Sequence, residues 1–207
     1  MTIISDLFSL HPHPLPHISM KYLFVSDIHG SLTALQKILH IFDTQQCDML
    51  CLGGDLLNYG PRNGLPEGLD PMAIAEELNK RADRIIAVRG NCDSEVDQML
   101  LEFPILGDYA LIVDNGVRLL LTHGHLCDDA PWMTGVDVVV KGHTHLCHIT
   151  WNIGVNQLEC NLGSPTFPKG GNKPTYAIWE KGCMKLFTLD GELLAEHTLS
   201  AAPSIDV

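Results

Sequence analysis

The stretch YLFVSDIHG (Tyr22–Gly30) decides how the fold begins and raises the question of function. Its first four residues are apolar and predict a buried strand, and a glycine closes the stretch. Along an extended chain residues i and i+2 point the same way, so we expect Asp27 and His29 to aim at one point. A carboxylate and an imidazole that converge suit a divalent metal. A strand end followed by a helix cap is the alternative, and the rest of the chain must decide between them.

Composition narrows the classes of protein open to this chain of 207 residues. Hydrophobic residues make up 45% and charged residues 18%, which supports one domain with a sizeable core and argues against disorder. The formal net charge of −12 repels long polyanions, so we expect no extended nucleic acid as a partner. A small anion can still bind where local cations, such as metals, override the global sign.

Cysteine usage and hydropathy favour a cytoplasmic location. Seven cysteines are scattered without a C-x-x-C pair, as is typical of a reducing compartment. No apolar stretch approaches the ~20 residues that span a bilayer, and the first residues lack the basic start of a signal peptide, so no membrane is expected as a partner. Residues 1–19 end in the proline-rich HPHPLPHIS and are predicted to be an N-terminal extension before a single domain over 20–207.

The chain alternates strands and helices in its first half and turns to strands in its second. Strands are predicted at 20–26, 48–54 and 84–90, and helices from Ser31, over 71–82 and around 94–100. The Asn-Gly pair at 115–116 lies between two apolar runs and predicts a hairpin. Strands are also predicted in VDVVVKG, CHITW, NQLECN, TYAIWE, MKLFTL and ELLAEHTL. Two packed sheets flanked by helices fit this order.

Polar side chains that can bind a metal follow the predicted strands. They are Asp27, His29, Asp55, Asn91, His123, His143 and His145. In layered α/β folds the carboxyl ends of the strands lie along one rim, where ligand sites are found. Each residue alone could equally be a helix cap, a turn or a polar loop. Their joint occurrence, each after an apolar strand, predicts a metal site.

The same residues stand in motifs that resemble a known family. DIH (27–29), GD (54–55), RGNCD (89–93), THGH (122–125) and GHTH (142–145) resemble the signature of the calcineurin-like metallophosphoesterases in order, spacing and context. The resemblance covers roughly residues 20–165, and GPRN, RGNCDSEVDQML and PKGG are similar to the small bacterial YfcE-like phosphodiesterases in particular. It implies an α/β (α+β) fold, a four-layer αββα sandwich of two mixed β-sheets flanked by helices. It also implies a phosphoric ester hydrolase acting on diesters.

The resemblance further implies a centre of two divalent metals. The implied ligands are Asp27, His29 and His145 for one ion, Asn91, His123 and His143 for the other, and Asp55 as the bridge. This mixed nitrogen and oxygen shell suits Mn²⁺, with Fe²⁺, Zn²⁺, Ni²⁺ and Mg²⁺ as alternatives, rather than Ca²⁺. Metals about 3.5–4 Å apart can bridge a hydroxide that attacks the phosphorus of a small phosphate ester. Asp55, Asn91 and Cys92 are then the expected catalytic residues.

Two departures from the family pattern affect this interpretation. Many members have a histidine at the position of Cys92, where it is thought to protonate the leaving group or to bind the phosphoryl group. A thiol with a pKa of about 8.5 suits acid catalysis less well than an imidazole near 6.5, so we predict diesters with good leaving groups, or protonation by metal-bound water. An inert Cys92 is the alternative. The second departure is NLGS (161–164) for the usual N-P-G-S, which leaves the shape of that loop open.

Other residues and functions stay open at this point. Arg62 and Lys169 lie in loops that could reach a substrate, but they could equally be solvated charges, and His125 could orient a metal ligand. The competing function is a non-catalytic scaffold that resembles a retromer subunit, although such proteins tend to lose metal ligands. A metal amidohydrolase is set aside, because those barrels of about 250 residues need more strand–helix units. A homo-oligomer is left open.

Overall fold

The structure is a computed structural model that describes residues 19–126, 133 and 135–199. Its strands are β1 (Lys21–Val25), β2 (Met49–Leu52), β3 (Ile85–Ala87), β4 (Tyr109–Asp114), β5 (Val117–Thr122), β6 (Val138–Lys141), β7 (His148–Asn152), β8 (Gln157–Asn161), β9 (Thr175–Glu180), β10 (Cys183–Thr188) and β11 (Leu193–Thr198). Its α-helices are α1 (Leu32–Thr44), α2 (Pro71–Asn79) and α3 (Glu95–Gln98), and a 3-10 turn covers Ala82–Arg84. The predicted N-terminal extension lies, except for Ser19, outside the described residues.

The strands form two mixed sheets. The first has the order β11-β10-β9-β1-β2-β3, with β1, β2 and β3 parallel and β9, β10 and β11 added antiparallel. The second has the order β4-β5-β6-β8-β7, in which β5, β6 and β8 are parallel and the two outer strands antiparallel. The prediction of an α/β sandwich built from two mixed sheets is confirmed.

Alternation along β1 places side chains in two separate cores. Leu23 and Val25 pack into the cluster that includes the buried faces of α1 and α2. Tyr22 and Phe24 point the other way, into the cluster shared by the two sheets. Within that cluster Trp179 is fully buried, and its indole Nε1 donates to Asp114 Oδ2 at 2.8 Å. The layers therefore run from helices to the first sheet and then to the second.

The outer face of the second sheet has its own small cluster. Leu120 of β5 and Val139 of β6 pack there with Val136, while their strand neighbours on either side point into the core between the sheets. Met133, from the segment before β6, packs against this cluster. Both faces of β5 and β6 are thus apolar, as expected for parallel strands buried on both sides.

Local sequence signals set most element boundaries. The hydroxyl of Ser31 caps α1 by accepting from Ala34 N at 3.2 Å, and Pro71 opens α2. The hairpin between β4 and β5 turns through Asn115 and Gly116, whose φ values of 49° and 84° fit a type I′ turn. None of the helices in the described ranges is both long and apolar enough to cross a bilayer.

The third strand is shorter than predicted. The sequence predicts a strand over 84–90, but β3 ends at Ala87. Val88 N still bonds to Leu52 O at 3.0 Å, whereas Arg89 N donates to Gly107 O at 2.7 Å, outside the neighbouring strand. The chain therefore leaves the sheet before Gly90 and carries the third motif to the rim.

Candidate metal centre

The loops after β1, β2, β5 and β6 meet at one end of the two sheets. Asp27 N donates to Gly54 O at 3.0 Å and His29 N donates to Asp55 O at 2.9 Å, which ties the first loop to the second. On the other side Gly142 N donates to His123 O at 3.2 Å. These bonds between distant segments bring the predicted metal-binding side chains onto one rim.

One group of side chains comes from the first and last motifs. Asp27 Oδ1 lies 3.2 Å from His145 Nε2 and 3.6 Å from His29 Nε2, and the two Nε2 atoms are 3.2 Å apart. All three residues are buried. Asp27 Oδ1 has no hydrogen-bond partner among the described residues, whereas Oδ2 accepts from His143 N at 2.9 Å. A buried carboxylate oxygen without a donor, beside two imidazoles, is the arrangement a cation would satisfy.

A second group adjoins the first through Asp55. Its Oδ2 lies 3.6 Å from His29 Nε2 and 3.5 Å from His123 Nε2, so it stands between the two groups. Asn91 Oδ1 is 3.1 Å from His123 Nε2, and the ring of His143 is centred 5.1 Å from that of His123. The structure thus brings all seven candidate ligands together, with the Asp55 carboxylate between the two groups.

Backbone carbonyls fix the orientation of three imidazoles. His29 Nδ1 faces Asn58 O at 2.9 Å, His123 Nδ1 faces Gly53 O at 2.7 Å, and His145 Nδ1 faces Phe167 O at 2.7 Å. A carbonyl only accepts, so each Nδ1 carries its proton, and in the neutral form of each ring the lone pair on Nε2 faces the buried carboxylates. Two such lone pairs only 3.2 Å apart, on His29 and His145, need a second proton or a metal cation between them. The donor set therefore fits a metal.

The backbone at these residues differs from what we expected. We predicted that Asp27 and His29 converge because they extend β1, but the strand ends at Val25, and the two residues have φ values of 62° and 52°. The two side chains do converge, but the extended backbone expected for them is wrong, because both residues are left-handed. Of the nine non-glycine residues with positive φ in the described part of the chain, five are candidate ligands; the other three of these are Asp55, His143 and His145. Such conformations cost about 1–3 kcal/mol each and collect at functional sites.

Asp93 is a buried residue of the site to which sequence reasoning gave no role. Its carboxylate accepts from Asp55 N and Gly90 N, each at 2.7 Å, and from Leu56 N at 2.9 Å. Burial raises the pKa of Asp93, although these three backbone donors oppose the shift. The signal was present in the sequence, since Asp93 closes the motif RGNCD. It joins the loop of the second motif to the loop of the third.

The NLGS loop closes one side of the site despite its departure from the family pattern. Asn161 Nδ2 donates to Gly142 O at 3.0 Å and thus supports the GHTH loop. Ser164 Oγ donates to Asp27 O at 2.8 Å and accepts from Phe167 N at 2.8 Å. The loop therefore reaches both the first and the last motif.

An open cleft of about 660 Å³ lies over this rim. Its lining consists of His29, Asp55, Asn58, Gly60, Pro61, Arg62, Asn63, Asn91, Cys92, His143, Thr144, His145 and Lys169. Burial and the nearby Asp55 carboxylate raise the pKa of Cys92 to about 12, so its thiol is a weak acid at neutral pH. Burial, followed by the neighbouring His123, lowers the pKa of His143, and Arg62 contributes to the same shift.

The surroundings of the site also shift the pKa values of Asp27 and His125. Burial alone would raise the pKa of Asp27, but the adjacent imidazoles of His145 and His29 hold it below its ordinary value. His125 lies beside the site, with its ring centred 5.2 Å from His123, and burial lowers its pKa. Its Nδ1 is buried and lacks a hydrogen-bond partner among the described residues, so no contact there assigns it an orienting role.

A buried cluster of carboxylates and carbonyl-anchored imidazoles thus lies at the strand ends of a two-sheet sandwich. The profile of the calcineurin-like phosphoesterase superfamily domain matches residues 20–181, and the chain belongs to this superfamily. The superfamily implies a divalent metal, and the residues present fit one, because three Nε2 lone pairs and the unpartnered Asp27 Oδ1 face the same space.

Individual relatives agree with this family. Phosphodiesterase YfcE of Escherichia coli strain K12 is 45% identical over 184 residues, which cover 87% of this chain and 99% of the relative. The solved structure of YfcE, a phosphoesterase from E. coli, matches with a TM-score of 0.81 at 42% identity, over 87% of this chain and 100% of that chain. Vacuolar protein sorting 29 from Cryptosporidium parvum matches with a TM-score of 0.60 at 17% identity, over 87% of this chain and 99% of that chain, and shares the fold alone.

Proposed function

We propose that the protein is a metal-dependent phosphodiesterase that hydrolyses a small phosphate ester at a centre of two divalent ions. One observation carries the proposal: the Nε2 atoms of His29, His123 and His145 face two buried carboxylates at 3.2–4.0 Å, with each Nδ1 held by a carbonyl. The two ions would supply a nucleophilic hydroxide at neutral pH and positive charge for the phosphoryl oxygens.

Each residue then has a distinct task. The proposed ligands are Asp27, His29 and His145 for one ion, Asn91, His123 and His143 for the other, and Asp55 for both. Asp55 has a second contact, because its Oδ1 accepts from Cys92 N at 2.8 Å. The side chain of Asn91 lies on the exposed side of the centre, where it can also meet the substrate. Cys92 lines the cleft beside them, and its high pKa makes it a poor proton donor.

The remaining assignments are proposals of the same kind. Mn²⁺ suits a shell of four imidazoles with carboxylate and amide oxygens, and Fe²⁺, Zn²⁺, Ni²⁺ and Mg²⁺ are the alternatives. We propose a single domain over 20–207, because β10 and β11 beyond the matched region complete the first sheet. Six free cysteines in the described ranges support a reducing, cytoplasmic setting. The acidic chain supports a small substrate rather than an extended nucleic acid or a membrane.

The non-catalytic scaffold is not favoured. All seven ligand positions hold residues that can bind a metal. The 45% identity to a phosphodiesterase over most of the chain also exceeds the 17% identity to vacuolar protein sorting 29. The likeness to that protein concerns the fold, and a fold alone does not carry a function.

Removal of metal is expected to abolish hydrolysis. The protein should cleave bis(4-nitrophenyl) phosphate with Mn²⁺, lose at least about 100-fold in rate after dialysis against a chelator, and recover when Mn²⁺ is restored. Metal content measured by mass spectrometry should be two ions per chain in the active sample. Separate additions of Ni²⁺, Mg²⁺ and Zn²⁺ rank the alternatives. Full activity in a sample without bound metal would overturn the proposal.

Cys92→His is expected to extend hydrolysis to poorer leaving groups. An imidazole there can act as a general acid, an effect typically worth about 10²–10⁴-fold, whereas a thiol, with an ordinary pKa of about 8.5, suits that task less well. We therefore expect a rate gain of about 100-fold on alkyl diesters and less than about threefold on 4-nitrophenyl diesters. Cys92→Ala serves as the control for an inert side chain. Equal wild-type rates on alkyl and aryl esters would contradict the prediction.

A further inference from the structure

Two cationic side chains line the cleft without a partner. Arg62 and Lys169 are exposed there, and in the described part of the chain neither side chain has a carboxylate within ion-pair distance or a hydrogen bond. Several other cations of this acidic protein are paired, as Lys173 is with Glu192 at 2.5 Å. Two unpaired cations beside a phosphate-binding centre are therefore free to meet an anion.

Arg62 stands on a loop that is fixed to one proposed metal ligand. At the start of the loop Asn58 O accepts from His29 Nδ1 at 2.9 Å. At its far side Asn63 Nδ2 lies 3.5 Å from His29 Nε2 and bonds to Tyr59 O at 2.9 Å. The backbone of Arg62 is thus held close to His29, although its side chain remains exposed.

Lys169 stands on a second loop that is fixed to the neighbouring ligand. Lys169 N donates to His145 O at 3.0 Å, and Phe167 O accepts from His145 Nδ1 at 2.7 Å. Because the Nε2 atoms of His145 and His29 are 3.2 Å apart, the two loops meet at the same metal position. Both cations therefore flank the end of the cleft where His29 and His145 lie.

The charges along the cleft wall leave these cations available. The lining contains one carboxylate, Asp55, which the two ions would neutralise, and the neutral side chains of Asn58, Asn63 and Thr144. A phosphodiester carries a single negative charge, which the proposed metal ions would be sufficient to balance. Arg62 and Lys169 would then be available to bind a second anionic group. The cleft of about 660 Å³ has room for a ligand of nucleotide size.

We infer that Arg62 and Lys169 form a subsite for a second phosphate group, carried by one arm of the phosphodiester substrate. The inference rests on the proposed phosphodiesterase function and adds a substrate class to it. Arg62 offers a planar pair of donors and Lys169 a point charge, a combination suited to a phosphate monoester. The preferred substrate is then a diester with an additional terminal phosphate rather than a simple diester.

A matched pair of chromogenic substrates tests the subsite. Thymidine 5′-(4-nitrophenyl phosphate) and the same compound with a 3′-phosphate have the same leaving group and differ in the second phosphate. The wild type should prefer the 3′-phosphorylated compound by about tenfold in kcat/KM. Arg62→Gln and Lys169→Gln should each reduce that preference about fivefold, and together they should remove it. Lys37→Gln, which removes a cation from α1 outside the cleft, should leave the preference unchanged.

The two proposals can fail separately. If Mn²⁺-loaded protein cleaves neither these compounds nor bis(4-nitrophenyl) phosphate, the proposed function fails, and binding then tests the subsite by itself. Calorimetric titration with thymidine 3′,5′-bisphosphate should give at least about fivefold tighter binding than thymidine 5′-monophosphate, and Arg62→Gln with Lys169→Gln should erase the difference. An equal preference for both substrates and equal affinity for both nucleotides would overturn the inference.

Discussion

Asp55→Asn is expected to lower kcat for bis(4-nitrophenyl) phosphate by at least about 1,000-fold while the protein stays folded. Asp55 Oδ2 lies 3.6 and 3.5 Å from the Nε2 atoms of His29 and His123, so it is placed between the proposed ligands of the two ions. An amide keeps the shape but loses the negative charge that holds two cations close together. Removing a single preorganised donor from a catalytic site already costs about 10²–10³-fold, and this change affects two metals at once.

The fold should tolerate that substitution because the main contacts of the loop are made by the backbone. Asp55 N is bound by Asp93, and the Oδ1 that accepts from Cys92 N can be kept as the amide oxygen. Circular dichroism should therefore match the wild type, while bound metal falls below two ions per chain. Asp190→Asn, an exposed change of the same chemistry, is the control and should remain active. An Asp55→Asn variant with more than a tenth of the activity and two bound metals would contradict the assignment.

Much of the fold follows from short-range sequence signals. The alternation of Leu23 and Val25 with Phe24 anticipates a strand that is buried on both faces, and the structure places these faces in two separate cores. Asn115 and Gly116 determine their hairpin, because few residue pairs adopt positive φ twice in succession without large cost. These features depend on neighbours in sequence, so one sequence is enough to predict them.

The geometry of the metal site could not be predicted in the same way. The motifs name the residues, but convergence of Asp27 and His29 depends on left-handed backbone that bonds to Gly54 and Asp55 on another loop. Asp27 and His29 do converge, but through left-handed backbone rather than through extension of β1. The missing information is long-range, because the bonds that stabilise these strained residues come from a segment more than twenty positions away.

The role of Asp93 also depends on contacts between residues that are far apart in the sequence. Within the motif RGNCD, Asp93 could be a helix cap, a turn residue or a metal ligand, and sequence reasoning gave it no role. Its function depends on Asp55 N and Leu56 N, which lie 38 and 37 positions away. Only the folded chain shows that one carboxylate joins two of the loops that carry candidate ligands.

Asp93→Ala is expected to lower the free energy of unfolding by about 3–5 kcal/mol. The substitution leaves three backbone donors, Asp55 N, Leu56 N and Gly90 N, without their acceptor, and each unsatisfied donor costs about 1–3 kcal/mol when buried. The substitution also removes a buried carboxylate, whose desolvation is unfavourable and raises the pKa of Asp93. The net loss of stability is therefore expected near the lower end of the summed cost of the three unsatisfied donors. Denaturant unfolding, monitored with and without Mn²⁺, measures the loss.

The affinity for Mn²⁺ distinguishes a role of Asp93 in positioning the candidate ligands from a role in stability alone. Asp97→Ala removes another carboxylate nearby, the one that completes the capping box of α3 with Ser94, and should cost about 0.5–2 kcal/mol without changing metal affinity. Asp93→Ala, assayed well below its unfolding temperature, should bind Mn²⁺ about 10- to 100-fold more weakly, because the loops that carry Asp55 and Asn91 lose their common anchor. Unchanged Mn²⁺ affinity in a folded Asp93→Ala variant would show that the carboxylate contributes only to the stability of the fold. The loop that carries Asp55 would then hold its position without Asp93.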